Sequence, residues 1–410
     1  MIASVTPDGG RVTADVAVVG LGALGGATAW QLARRGLRVV GLERFELRHV
    51  RGASHGDSRI IRLSYHTPGY VRAAREAYDD WALLEHEAST ALVVRTGGID
   101  VFPAGAAIAE VDYTRSMAAC GVPFERLDAA ESNRRWPGFA VPDGASVLFQ
   151  AETGIVPASA GTAVLQQRAR AHGARLFERC PVTGLRDTGS SVEITCGAGQ
   201  IVSAGAVVVT ADAWTNDLLA GLAASLPLTV TKEHAVHFAV PDPDGENGGV
   251  GGVDGRGGAH APGAFPVWIW MDDPSWYGFP SFGEASVKVG QDCGGDPVHP
   301  DRRSFDPDPA HLARMQAFVR SRIPAAGPPV RVTTCLYTLT PDRDFVASVL
   351  PGHERVVVGL GAAHGFKFAP WFGRVLADLA TDGRTASDVS AFGLDRPALT
   401  DPAAPARWLV

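Results

Sequence analysis

The chain has 410 residues, which is too long for one small core and points to two or three domains. Hydrophobic residues make up 46% and charged residues 20%, and the net charge is -7; this balance fits an ordinary globular protein and argues against a nucleic-acid surface. The five cysteines, Cys120, Cys180, Cys196, Cys293 and Cys335, form no CxxC pair, which fits a reducing compartment and neither a disulfide framework nor a zinc site.

The N-terminus shows no basic region followed by an apolar stretch, so no signal peptide is expected. The most apolar window, Val16 to Ala33, is long enough to consider as a membrane helix. Its glycines and strand-turn-helix pattern predict a nucleotide-binding unit instead, with a cytoplasmic location by default. DVAVVG (Asp15–Gly20) reads as a strand buried on both faces. Gly20-Leu21-Gly22-Ala23-Leu24-Gly25-Gly26 follows directly and opens a helix. Gly20 permits the tight turn, Gly22 lets backbone approach a pyrophosphate, and Gly25 lets helix and strand pack closely. The helix N-terminus offers N–H groups and a positive dipole end to phosphates. A second strand, Leu37–Leu42, ends at Glu43, whose carboxylate can accept hydrogen bonds from ribose hydroxyls. The unit predicts binding of the ADP half of a dinucleotide.

Beyond it, Ser54-His55-Gly56-Asp57-Ser58-Arg59-Ile60-Ile61-Arg62 carries two arginines separated by two apolar residues. Arginine grips carboxylates with a planar fork, so the pair reads either as ligand contacts or as structural ion pairs. TGGIDVF (Thr96–Phe102) alternates like a half-exposed antiparallel strand. A helix from about Ser159 to His172 stops at Gly173, and AVVVT (Ala206–Thr210) reads as another buried strand. Pro241–Gly263 is crowded with Gly, Pro and Asp and reads as a mobile loop. SVKVG (Ser286–Gly290) alternates again. RVVVGLG (Arg355–Gly361) and a helix from about Phe372 to Thr381, ending at Asp382-Gly383, return to the buried parallel pattern. The expected fold is α/β: a Rossmann-like FAD-binding domain from residues 1–95, 150–235 and 330–410, with an inserted antiparallel-sheet α+β substrate domain from residues 96–149 and 236–329.

The segment HGDSRIIR, together with RWPGFAVP (Arg135–Pro142), YGFPSFG (Tyr277–Gly283), CLYT (Cys335–Thr338), HGFKF (His364–Phe368) and RPAL (Arg396–Leu399), resembles the monomeric sarcosine oxidase and N-methyltryptophan oxidase family. That family lies within the D-amino-acid-oxidase-like flavoproteins, and the similarity runs over nearly the whole chain. The resemblance implies FAD as cofactor, held by Gly20, Gly22, Gly25, Glu43, Arg44, Ser54, His55, Ser58, Arg59, Gly361, Gly365 and Lys367. It implies a thioether from Cys335 to the 8α-methyl carbon. On its own, Cys335 would read as an inert buried thiol, since reactivity needs a lowered pKa. Arg62 and Lys367 are implied to hold a substrate carboxylate and Tyr277 to orient the substrate. Lys288 is implied to face O2, where an ammonium stabilises developing negative charge.

Two departures stand out. Where the sarcosine oxidases have a histidine four residues after the strand lysine, this chain has Asp292. A carboxylate there would pair with a substrate ammonium or accept a proton, as in the family member that oxidises piperideine-2-carboxylate. Asp100 reads as a solvated edge acid or as a second acid of the same pocket. Asp212 stands where the family usually has glycine, at a strand end near the implied FAD, and an aspartate there tolerates unusual backbone angles less well than glycine. The expected reaction is oxidation of the C–N bond of a secondary or cyclic amino acid by O2, yielding an imine and hydrogen peroxide, in a monomer that uses neither nucleic acid nor membrane. A flavin dehydrogenase with another electron acceptor, an NAD-dependent dehydrogenase and a non-catalytic flavin-binding protein are the alternatives.

Overall fold

The computed structural model describes residues 12–241 and 258–406. The glycine-rich stretch read as a mobile loop therefore lies outside the described residues from 242 to 257. Among the described residues, no helix is long and apolar enough to cross a membrane.

The strand Val12–Val19 pairs in parallel with Val39–Leu42 on one side and with Ile201–Val209 on the other. Arg175–Phe177 and His353–Leu360 extend the parallel set. Val182–Asp187 and Val192–Cys196 form an antiparallel arm beside Ile201–Val209. Both faces of this sheet are covered, which is why its strands tolerate unbroken β-branched runs. On one face lie the helices Ala23–Arg34, Pro68–Ala88, Ala158–Ala171 and Ala369–Asp382, whose Ala27, Trp81, Leu165 and Phe372 share a core. The first and last of these helices touch at their backbones: a Cβ on Gly373 would lie 2.6 Å from the Ala27 carbonyl carbon. On the other face Leu218, Leu219, Leu222 and Leu226 close a second core. The helix ends follow the glycine signals read from sequence: Gly173 has φ +95° and Gly383 has φ +66°.

A second sheet of eight strands runs in the order Pro329–Leu339, Thr229–Ala239, Ser286–Gln291, Trp276–Phe279, Val267–Trp270, Gly98–Phe102, Ser146–Gln150 and Glu125–Asp128. It is antiparallel except for the parallel pair of Val267–Trp270 and Gly98–Phe102. The domain limits move accordingly. Backbone ladders place Thr229–Ala239 and Pro329–Leu339 in the second sheet, although the sequence assigned most of both to the nucleotide part. Cys335 thus belongs to the substrate-side sheet.

SVKVG and TGGIDVF do not form half-exposed strands. Ser286–Gly290 and Gly98–Phe102 are buried at every position. Val287, Val289, Ile99 and Val101 share one apolar core with Met315 and Val319 of the helix Pro309–Arg322. The intervening Lys288 and Asp100 take the opposite face, where Ser58 and Arg62 cover them. Alternation here marks two buried faces of different polarity.

Candidate active site

The glycine turn is built as its residues require. Gly20 has φ +89°, and a Cβ on it would lie 2.5 Å from the Thr210 carbonyl oxygen. Glu43, buried at the end of its strand, accepts from the Leu21 N–H at 2.8 Å and from the Phe45 N–H at 3.0 Å. Ser54 Oγ accepts from the Ala23 N–H at 2.9 Å. Glu43 and Ser54 therefore brace the turn, and each oxygen retains capacity for further donors. At the mouth, Arg44 lies over the rings of Phe45 and Trp214 at 5.2 and 5.6 Å and donates to Asp301 at 3.1 Å. The cavity has a volume of about 450 Å³ and is lined from Arg44 through Gly20, Gly22 and Ser54 to Gly361 and Gly365.

Arg59 lines the same cavity. Its guanidinium donates to the carbonyls of Ser58, Ala53 and His55 at 2.8–2.9 Å, so it organises its own loop and fixes a cation at the wall. His55 is held near neutral, its pKa lowered to about 4 by burial and by Arg59 beside it. Its Nε2 is buried and finds no hydrogen-bond partner among the described residues. Lys288 Nζ donates to Ser58 O at 2.8 Å and to Ser58 Oγ at 3.2 Å, and lies 4.7 Å from the Phe279 ring centre. Burial, with Arg59 beside it, pulls the Lys288 pKa well below the ordinary lysine value. Cys335 faces Glu233 across the strand pair. Burial raises its thiol, opposed by Arg59, Lys288 and Arg303.

Arg62, Tyr277, Lys288, Asp292 and Lys367 are not among the residues lining that cavity. Arg62, Asp292 and Lys367 act on one another, whereas Lys288 groups with Ser58, Arg59 and Cys335. Arg62 is 6% exposed, and its Nη1 donates to Asp100 Oδ1 at 3.2 Å. Burial opposes the Arg62 charge most strongly, but Asp100, Tyr65 and Tyr113 together outweigh it and the guanidinium is held above its ordinary pKa. Burial raises the Asp100 carboxyl. Asp100 is thus neither a solvated edge acid nor a free acid of the pocket. The ring of Tyr65 is shared: Arg62 Cζ lies 4.8 Å and Lys367 Nζ 5.6 Å from its centre. Burial, then Arg62, lower Lys367 to about 7, while Asp292 and Asp100 act the other way. The turn that carries Lys367 is pinned by Trp81, whose indole N–H donates to the Lys367 carbonyl at 2.7 Å. Burial raises the Tyr277 phenol, and its ring fills the space above Gly290.

Asp292 does not stand as a free carboxylate. Its Oδ2 accepts from Arg343 Nη2 at 2.9 Å, and Arg343 is 2% exposed. The turn bearing Arg343 is held on three sides. Arg396 binds Asp342 at 2.7 and 3.1 Å and the Asp344 carbonyl at 3.0 Å, Tyr70 donates to Asp344, and His364 Nε2 lies 3.0 Å from the Arg343 carbonyl. Arg343, Tyr65 and Glu233 carried no local signal that sequence reading could use. Arg396 in RPAL, Tyr337 in CLYT and His364 in HGFKF pointed to this region. Asp212 does adopt the unusual backbone its place demands, with φ +48°, and burial raises its carboxyl to about 6.

The model of the DAO family, FAD dependent oxidoreductases, matches residues 15–379. The chain belongs to the FAD dependent oxidoreductase family. Among similar proteins, a monomeric sarcosine oxidase from Bacillus sp. (strain B-0618) is 30% identical over 393 residues, 94% of this chain and 97% of the relative. An N-methyl-L-tryptophan oxidase from Salmonella arizonae is 30% identical over 388 residues, 93% of this chain and 98% of the relative. The open form of NikD, described as an unusual amino acid oxidase essential for nikkomycin biosynthesis, superposes with a TM-score of 0.80. It is 30% identical and covers 93% of this chain and 97% of its own. The residues of this flavoenzyme fit FAD. A glycine turn at a helix N-terminus suits the pyrophosphate. Gly361 and Gly365 approach so closely that a Cβ on Gly361 would lie 2.8 Å from the Gly365 Cα, and both line the cavity.

Proposed function

We propose that this flavoenzyme oxidises the C–N bond of a secondary or cyclic amino acid with O2, giving an imine and hydrogen peroxide, and that it acts as a cytoplasmic monomer. FAD supplies the hydride-accepting ring when bound, with Cys335 as the point of covalent attachment. The observation that carries the reading is the pair of cations, buried Arg62 and half-buried Lys367, 4.8 and 5.6 Å from the centre of the Tyr65 ring. Burying two cations together costs more than one carboxylate, Asp100, repays; a substrate carboxylate would complete the balance. Held by a guanidinium fork and an ammonium, the substrate would have its reactive carbon fixed, and such positioning supplies much of the rate in reactions of this kind. Tyr277 orients the substrate. Asp292, its charge met by Arg343, contributes a fixed polar wall toward the amine. Lys288 faces O2 from the opposite side.

The direct test is oxygen uptake with stoichiometric peroxide release across a panel of amino acids. Proline-like and pipecolate-like acids should turn over better than sarcosine, because the Asp292–Arg343 pair replaces the histidine suited to a small amine. Sarcosine turning over as well as the cyclic acids would refute the substrate class. Reduction by substrate without oxygen uptake would refute the oxidase.

Lys367 gives the reading a pH signature. With a pKa of about 7, the free enzyme carries this ammonium below pH 7 and loses it as pH rises. Binding of a simple carboxylate such as propionate should therefore weaken above pH 7, by up to about tenfold per unit if the charge is essential. In Lys367→Met the dependence should flatten over this range. A titration monitored by flavin absorbance measures it; an unchanged profile in the variant would assign the dependence elsewhere.

A further inference from the structure

His364 has no part in the chemistry proposed above, yet its ring is held in one tautomer. Its Nε2 lies 3.0 Å from the Arg343 carbonyl. A carbonyl oxygen can only accept, so Nε2 carries the proton and Nδ1 is left with its lone pair. The rings of Phe345 and Tyr70 pack against the imidazole, with centres 4.5 and 5.6 Å away. Nδ1 has no hydrogen-bond partner among the described residues, and the residue is half-buried. The backbone leading into His364 is left-handed at two alanines in a row, Ala362 and Ala363, with φ +41° and +75°; such strain persists only where the surrounding structure fixes it. Lys367, three residues on, belongs to the short 3₁₀ turn Gly365–Phe368 that His364 caps, and side chains three apart on such a turn stand one above the other. His364 thus joins the turn of Lys367 to the turn of Arg343, whose guanidinium meets Asp292.

We propose that His364 Nδ1 accepts the N–H of the substrate amine, and so selects amines that carry an N–H in their neutral form. This role rests on the reading that Arg62 and Lys367 hold the substrate carboxylate. In an α-amino acid the nitrogen sits on the carbon next to that carboxylate, which places it beside the neighbouring side chain of the Lys367 turn. The groups facing the imidazole suit the role. Burial, then Lys367, Arg343 and Arg62, hold its pKa well below the ordinary histidine value, against the opposing pull of the Arg343 carbonyl, so Nδ1 stays an acceptor at neutral pH. The carboxylates of Asp100 and Asp292 are already met by Arg62 and Arg343. The same cations would oppose an ammonium on the substrate and favour the unprotonated amine, whose lone pair can assist loss of a hydride. A secondary amine, cyclic or open, has one N–H in that form; a tertiary amine has none.

The test uses the full-length enzyme with FAD bound and two flat acids, pyrrole-2-carboxylate and furan-2-carboxylate. They share ring size and carboxylate and differ in a ring N–H against a ring oxygen. Followed by flavin absorbance, the pyrrole acid should bind about tenfold more tightly, because the furan acid would set two lone pairs face to face. In His364→Leu the preference should vanish. A ratio between two ligands in one protein is insensitive to a general loosening of the site. Equal binding of both acids to the parent enzyme overturns the assignment even if the variant does not fold, and a preference that survives in His364→Leu overturns it as well. Lys367→Met, which should weaken both acids alike, tells this failure from that of the underlying reading. Binding without preference but dependent on Lys367 removes His364 and leaves the carboxylate reading standing; binding of neither acid removes both.

Discussion

Arg62→Ala should lower kcat/KM for a carboxylate-bearing amine by roughly 30- to 5,000-fold, the kinetic equivalent of about 2–5 kcal/mol for truncating one partner of a buried charge pair. Two effects combine in this variant. One is the lost fork toward substrate; the other is the stranded Asp100 carboxylate, which is 5% exposed and would be left without its guanidinium. The second is a folding cost, so the melting temperature should fall as well. Asp100→Asn added to Arg62→Ala separates them: it should restore the melting temperature but leave kcat/KM low. Arg62→Lys should fall between, because an ammonium keeps the charge but not the bidentate geometry. If Arg62→Ala with Asp100→Asn regained both stability and turnover, Arg62 would be a structural partner of Asp100 alone.

Lys288→Met should slow the reaction with O2 by about 10²–10³-fold, the usual loss on removing one preorganised electrostatic group, and leave reduction by substrate nearly unchanged. The split follows from placement. Lys288 donates to Ser58 and lies against Phe279, in the group formed with Arg59 and Cys335, away from the Arg62–Asp100 pair. Its pKa is depressed by burial and by Arg59, and a negative charge forming beside it would act the other way and favour the ammonium. Stopped-flow reduction without oxygen, followed by mixing with oxygenated buffer, reads the two steps separately. Equal reoxidation rates in Lys288→Met and the parent would remove this lysine from the oxygen reaction.

The nucleotide half of the fold was legible because its signals are local. The turn from Gly20 to Gly26, the acidic strand end at Glu43 and the glycine stops at Gly173 and Gly383 all act within a few residues of themselves. The substrate half was less legible because its logic is non-local. Alternation in SVKVG and TGGIDVF suggested one solvent face. The polar residues instead meet Ser58 and Arg62, more than thirty residues away in sequence. Asp292 shows the same limit: its type was visible as a departure from the related histidine, while its partner Arg343 lies on a turn held by contacts from the distant Arg396, Tyr70 and His364. Asp212 takes a left-handed backbone, φ +48°, of the kind glycine adopts freely, and such a backbone requirement attaches to a position whatever packs around it.

The central claim is that Arg62 and Lys367 read a carboxylate on an oxidisable amine. Anaerobic mixing of the FAD-loaded enzyme with pipecolate and, separately, with piperidine, its counterpart lacking the carboxylate, tests it most directly. Pipecolate should bleach the yellow flavin absorbance and piperidine should not. Equal bleaching by both amines, or bleaching by piperidine alone, would contradict the claim.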